Sequence, residues 1–345
     1  MKKISIKDIA RMTGTSPTTV SFVLNGKGRT SDALTKKILA TAKKEGYQPN
    51  QIAVSLRTGQ SKVIGLIVEN MGGSFFGAVS KELENEAKKY GYRIVYCSSE
   101  NNVRKGREMM EMLAHQQVDG YIITPTAGLE KDVMKLMTSK KPVVLMDSYY
   151  PGLDIPYVLV DNFNGIKQGI DHLIEAGYEN IGFVTVDLDL IQMKERLSGY
   201  TETLKFHKIK PDKKLVLTLK YDSTKEEMVN EISSFVRKNK NMDAIFFATN
   251  YLGIAGLQSL SNMKYKVPED IAMISFDDHE IFSLFAPGIT TIQQPTEEIA
   301  RAAMNLLLTQ LGKKESNLIT NKIQIPANLV RRNSVKKAKR VMPNA

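Results

Sequence analysis

Asp147, Asn250 and Asp277 each stand at the end of a short apolar run: Val-Val-Leu-Met-Asp, Ile-Phe-Phe-Ala-Thr-Asn and Ile-Ser-Phe-Asp-Asp. Gln192 and Arg196 lie one helical turn apart, ahead of Leu-Ser-Gly-Tyr. An arginine and an aspartate together hold vicinal hydroxyls by charge-assisted hydrogen bonds, so the chemistry of this set is the binding of a polyol. Phe75 and Phe76 offer a flat apolar wall against the C–H face of a sugar ring, and Gln294 completes the candidate set. Each residue also has a plainer reading. An aspartate after a strand often caps the next segment, and phenylalanines at a helix start pack in a core. Catalysis is poorly served. Asp277 and Asp278 are adjacent at a strand end and point different ways, which makes a weak acid/base pair. There is no P-loop, no strand-linked Gly-x-Gly-x-x-Gly, no Gly-x-Ser-x-Gly and no histidine–nucleophile arrangement. Cys97 is the single cysteine and reads as a core residue. With four unclustered histidines, neither a disulfide nor a metal site is expected, and no cofactor is implied.

A second group of candidates occupies the first 60 residues. Ser5 and Asp8 have the spacing of a capping box, and Ile6, Ile9, Ala10 and Thr13 follow as one narrow helical face. Gly14 permits a sharp turn. Ser16 caps a second helix that opens on Pro17, where no N–H is needed. Val20, Val23 and Leu24 form its inner stripe, leaving Thr18, Thr19, Ser21, Phe22 and Asn25 outside. A third helix over 31–44 closes a small core through Leu34, Ile38 and Ala42. This is the pattern of a helix-turn-helix, whose second helix enters the major groove. Charge agrees: residues 1–60 hold eleven Lys and Arg against three acids, and 331–345 hold six bases and no acid. The whole chain is +11, so the middle is net −3, and the basic character is concentrated where phosphate contact requires it.

The elements that must position the first group begin near residue 61. Apolar runs at 63–68, 93–97, 120–124 and 143–146 alternate with helical stretches, and a second series follows at 181–186, 244–248 and 271–276. Runs apolar throughout mean strands buried on both faces, hence parallel sheets with helices on either side. The chain returns through 290–294, a helix over 296–311 and a strand near 322–325, which lets it cross between lobes several times. Ligands of such sheets bind beyond the carboxyl ends of the strands, where the polar candidates stand. At 345 residues, 42% hydrophobic and 25% charged, the chain accommodates more than one globular domain. A polar, basic N-terminus and the lack of a long apolar run point to a cytoplasmic protein with no membrane partner.

The segment 5–25, together with Pro-Asn-Gln-Ile-Ala-Val-Ser-Leu-Arg at 49–57, resembles the LacI/GalR family of bacterial transcription factors, and the likeness runs to about residue 334. The resemblance implies a fold of two parts: an all-α helix-turn-helix headpiece, then α/β, with two doubly wound parallel-sheet lobes of periplasmic-binding-protein type. Its divisions would be 1–47 for the headpiece, 48–60 for a hinge helix and linker, 61–334 for the effector-binding part and 335–345 for a basic disordered tail. Lobe 1 would take about 61–161 and 290–321, lobe 2 about 162–289 and 322–334. The resemblance further implies base contacts from Pro17, Thr18 and Phe22, with phosphate contacts from Ser5, Thr19, Ser21, Asn25 and Arg29, beside the cap Ser16. Asn50, Ala53, Leu56 and Arg57 would form a hinge helix whose Leu56 wedges into the minor groove. The cleft candidates Phe75, Phe76, Asp147, Gln192, Arg196, Asn250, Asp277 and Gln294 would hold a sugar or sugar derivative. The implied partners are a pseudo-palindromic double-stranded operator and a second copy of the chain. The implied function is an effector-controlled repressor of carbohydrate-utilisation genes. A regulator answering to a protein corepressor, and a cytoplasmic sugar-binding or sugar-processing protein, are the alternatives. Two departures stand out. Phe22 replaces the arginine or histidine common at its position, favouring contact with a thymine methyl, and Tyr251 stands where relatives often carry an aspartate.

Overall fold

The computed structural model describes residues 4–26, 30–47, 59–314 and 320–336. Arg29, Asn50, Ala53, Leu56 and Arg57, and most of the basic tail, lie outside the described residues. The chain divides into two compact units, 1–62 and 63–345.

In the first unit three helices, α1 (Ile6–Thr13), α2 (Pro17–Leu24) and α3 (Asp32–Lys44), enclose Ile9, Ala10, Val20 and Ile38. Local chemistry sets each boundary. Ser5 and Asp8 form the expected reciprocal box, and Ser16 and Ser31 accept N–H groups of the first turns of α2 and α3. Gly14 ends α1 at φ 70°, a conformation that costs glycine little. Thr13 is buried without penalty because its hydroxyl donates to the Ile9 carbonyl at 2.8 Å.

The second unit holds two six-stranded sheets. The first orders its strands β11 (Lys322–Ile325), β5 (Tyr157–Val160), β4 (Val143–Met146), β3 (Gly120–Ile123), β1 (Val63–Val68) and β2 (Arg93–Ser98), all parallel. The second orders β12 (Asn328–Val330), β10 (Thr290–Gln293), β9 (Ala272–Phe276), β8 (Ala244–Phe247), β6 (Ile181–Asp187) and β7 (Val216–Lys220), with only β12 antiparallel. Each sheet has a hydrophobic core on both faces, which is why its central strands read as unbroken apolar runs.

The chain passes between the lobes three times: at Asp161, at Gln294–Pro295 and at Pro326–Ala327. The expected lobe limits change accordingly. Thr290–Gln293 belongs to the second sheet, where it lies parallel to β9, and Lys322–Ile325 belongs to the first, where it extends β5. The helix Thr296–Gln310 explains the exchange, because its apolar face packs in the first lobe beside the helix Ser74–Lys89 and delivers the chain there before β11. Three strands absent from the sequence reading, β5, β7 and β12, are four, five and three residues long, and β7 and β12 are sheet edges.

Candidate functional site

In the first unit the residues expected to face DNA separate into two kinds. Pro17, Thr18 and Phe22 are exposed on α2, with Phe22 48% accessible and uninvolved in the core. Thr18, Phe22 and Asn25 are spaced at i, i+4 and i+7 and so share one face. The others are committed to the helix itself. The Thr19 N–H donates to Ser16 Oγ at 3.1 Å, and the Asn25 amide donates to the Ser21 carbonyl at 2.5 Å. Ser5 is held by Asp8. Short polar side chains therefore fix the ends of α2, and an unusually apolar residue stands exposed in its middle.

In the second unit all eight cleft candidates, Phe75 to Gln294, line one cavity of about 430 Å³ between the lobes. They come from strand ends in both sheets. Asp147 follows β4 and Asp277 follows β9, and both backbones turn into the left-handed region, at φ 69° and 65°. Aspartate tolerates this conformation better than most residues. Neither acts as the helix cap its position suggested. Asp147 accepts Gln192 Nε2 at 3.2 Å, while Asp277 accepts Gln294 Nε2 at 2.5 Å and the Asn250 backbone N–H.

Arg196, 3% exposed on the helix Ile191–Phe206, is the best-anchored member. Its Nε donates to Asn162 Oδ1 at 2.8 Å and its Nη1 to the Ala248 carbonyl at 2.7 Å. The guanidinium lies 3.7 Å from the centre of the Phe276 ring, a cation–π contact. Gly199, one turn further on, lets this helix approach the helix Asn162–Glu175, since a Cβ there would stand 2.8 Å from the Phe163 carbonyl oxygen. Phe75 and Phe76 meet edge to face at 5.1 Å. Phe76 is buried in the first core and also lines the cavity, so the plainer reading holds in part for it.

Sequence reasoning missed Glu69 and Tyr221. Glu69 follows β1 and obeys the same strand-end rule as Asp147, so its signal was available. Tyr221 follows β7, a strand that was not foreseen. Its hydroxyl bonds the Glu69 carboxylate from the opposite lobe. Two further bonds span the cleft: Gln192 to Asp147, and Asn250 Nδ2 to Ser74 Oγ at 2.6 Å. Tyr251 also lines the cavity. Burial pushes Asp147 up to about 7, the nearby Arg196 charge working against it and the Glu69 and Asp277 carboxylates with it. Burial likewise raises Glu69, against the Tyr221 hydrogen bond, and raises Asp277, against Arg196 and Gln294. The lining thus carries acidic, amide and guanidinium groups from both lobes.

Comparison with known proteins agrees with both units. Residues 5–50 match the model of bacterial regulatory proteins of the lacI family, and residues 170–335 match that of a periplasmic binding protein-like domain. The HTH-type transcriptional regulator RegA of Clostridium saccharobutylicum is 31% identical over 314 residues, covering 90% of this chain and 93% of that protein. The lac repressor dimer bound to operator and the anti-inducer ONPF matches 97% of this chain and 100% of its own, with a TM-score of 0.85 at 21% identity. The complex of the regulator CelR with cellobiose matches 96% and 100%, with a TM-score of 0.71 at 24% identity. At these identities the two structures establish likeness of fold.

Proposed function

The chain belongs to the lacI family of bacterial regulatory proteins, and from that premise we infer that a small sugar-like ligand in its cleft sets its affinity for operator DNA. The protein is a DNA-binding transcriptional regulator. It acts as a homodimer on a pseudo-palindromic operator, because a two-fold site needs one reading helix from each subunit. We assign base reading to the exposed face of α2 and, from the family resemblance, minor-groove wedging to Leu56. The expected output is repression of carbohydrate-utilisation genes. A cellobiose-bound regulator of this fold supports the choice of ligand class.

One observation carries the reading. Eight side chains at positions that the family resemblance gives to ligand binding, spread from residue 75 to residue 294, line a single cavity between two lobes joined by three chain crossings. Lobes joined in this way close by hinge motion about the crossings. Arg196 links the two features, because Asn162, which orients it, sits at the first crossing. A ligand that engages Arg196 and Asp147 therefore acts on both lobes at once, and coupling of this kind is typically about 1–3 kcal/mol.

The test is reciprocal. Operator affinity is measured by fluorescence anisotropy with and without each sugar of a panel, and sugar affinity with and without operator. The same factor must appear in both directions. A sugar that binds the protein yet leaves operator affinity untouched would refute control through the cleft.

A further inference from the structure

The side chains of the cleft are rich in hydrogen-bond acceptors, and among the described residues its free backbone donors are confined to the N–H groups that open the helix Ser74–Lys89, which has no side-chain cap. Three carboxylates, Glu69, Asp147 and Asp277, line it with one guanidinium, Arg196, and the His279 imidazole, whose Nδ1 accepts the Ile281 N–H. Among the described residues none of the three lies within ion-pair distance of a cation, and Arg196 spends Nε and Nη1 on Asn162 and the Ala248 carbonyl. The amides extend the pattern. Gln192 and Gln294 are 3% and 6% exposed, and each turns its Nε2 toward a carboxylate. That leaves both Oε1 atoms buried and without a hydrogen-bond partner among the described residues. Of the two further amides in the lining, Asn250 gives its Nδ2 to Ser74 and Asn70 accepts the Gly72 N–H through its Oδ1.

Five acceptors therefore line one cavity, and the carboxylates outnumber the guanidinium by two. Buried polar atoms without partners are costly, and buried like charges more so. Protonation relieves part of that cost when no ligand is bound, and a cation relieves it on binding. Among the described residues no group of three such side chains is disposed to hold a metal ion, so the fitting cation is a more extended body. Phe75 and Tyr251 add aromatic surface, which receives C–H groups and cations alike.

We propose that the cleft selects a cationic ligand rich in hydrogen-bond donors, an amine-bearing sugar or polyol, and rejects phosphorylated and carboxylated sugars. The proposal rests on the cleft being the effector site and specifies what that site accepts. An ammonium group among Glu69, Asp147 and the two amide oxygens supplies both charge and donors. A phosphate there meets three carboxylates and two lone-pair oxygens. Ionisation of Asp147 then accompanies binding, so affinity for the amine falls as pH is lowered through about 7.

The experiment is isothermal titration calorimetry on the full chain near pH 8, about a unit above the Asp147 value. The probes are matched series in gluco, galacto and manno configuration: hexose, 2-amino-2-deoxyhexose, its N-acetyl derivative and hexose 6-phosphate. Cellobiose, chitobiose, chitosan disaccharide and purine bases are included. The expected result is an amine that binds about tenfold or more tighter than its neutral parent, the step one charge-assisted hydrogen bond provides. The gain is lost on N-acetylation, which keeps the bulk and removes the charge, and shrinks in Glu69→Gln. Binding of a neutral sugar, a phosphate or a base as tight as that of any amine overturns this proposal and leaves the effector cleft standing. Failure of every probe to bind overturns both.

Discussion

The headpiece and the cleft solve opposite problems. In the headpiece the face proposed to read DNA is exposed, and the residues that hold it in place lie within four positions of one another. Ser16 bonds Thr19, Asn25 bonds Ser21, and Phe22 projects from the helix within the second of these pairs. In the cleft the working groups are buried and come from distant parts of the chain. Arg196 is held by residues 34 and 52 positions away, and Asp147 meets Gln192 across 45 positions. A reading helix can therefore change its outward side chains at little structural cost, whereas the cleft cannot lose a member without disturbing others. Specificity for DNA should be easier to alter than response to ligand.

The largest effect is expected of Arg196→Ala. It removes a cation–π contact and two hydrogen bonds and leaves Asn162 Oδ1 and the Ala248 carbonyl unpartnered, a cost of about 2–4 kcal/mol. Urea unfolding of the second unit should report that loss, and ligand should no longer alter operator affinity, while operator binding itself persists. A normal ligand response in this variant would show that the cleft tolerates change as well as the headpiece does.

Gly199→Ala comes next. The added Cβ meets backbone, which cannot swing aside, so the helix carrying Arg196 must shift at about 1–3 kcal/mol. Ligand affinity should fall although residue 199 does not line the cavity. Equal affinity in the variant would detach Arg196 from the packing beneath it. In the headpiece, Ser16→Ala removes a cap worth about 1 kcal/mol and should lower the melting temperature of the first unit alone.

The pH dependence tests the burial half of the contrast. Asp147 rises from 3.8 to about 7 on folding, so the unfolded chain releases this proton first. Its contribution to stability is complete below about pH 4 and is lost as pH rises through about 7. Denaturation curves across that window should show the decline, and Asp147→Asn should flatten it.

The smallest change in stability belongs to Phe22→Arg, within about 0.5 kcal/mol because the side chain is outside the core. Its effect should fall on sequence preference, read by selection from random DNA. Arginine pairs with guanine, whereas phenylalanine packs against a thymine methyl. An unchanged preference would mean that this position does not read bases.

The same contrast governs what could be read from sequence. Helix caps, turn and inner stripe of the headpiece act between near neighbours, and α1 to α3 follow the sequence signals closely. The strand-end rule found Asp147, Asn250 and Asp277 because their strands are unbroken apolar runs. It overlooked Glu69, which obeys it equally, since a Glu-Asn pair after an apolar run also reads as an ordinary loop. Tyr221 was beyond reach. Its strand β7 alternates apolar and polar residues, as an edge with one wet face does, and so lacks the signature of the central strands. The exchange of β10 and β11 between lobes was hidden for another reason. Four-residue strands carry too little pattern to say which of two similar sheets they will join.

The third crossing, at Pro326–Ala327, bears on how the molecule is made. β11 and β12 flank it, and each is the edge strand of a different sheet. Translation delivers the headpiece first and these two strands some 270 residues later, so a growing chain exposes its DNA-reading helix long before either lobe has its last strand. A product that stops short of Lys322 ends its two sheets at β5 and β10 in place of β11 and β12, and these largely buried strands, made to be paired on both sides, invite pairing with other chains.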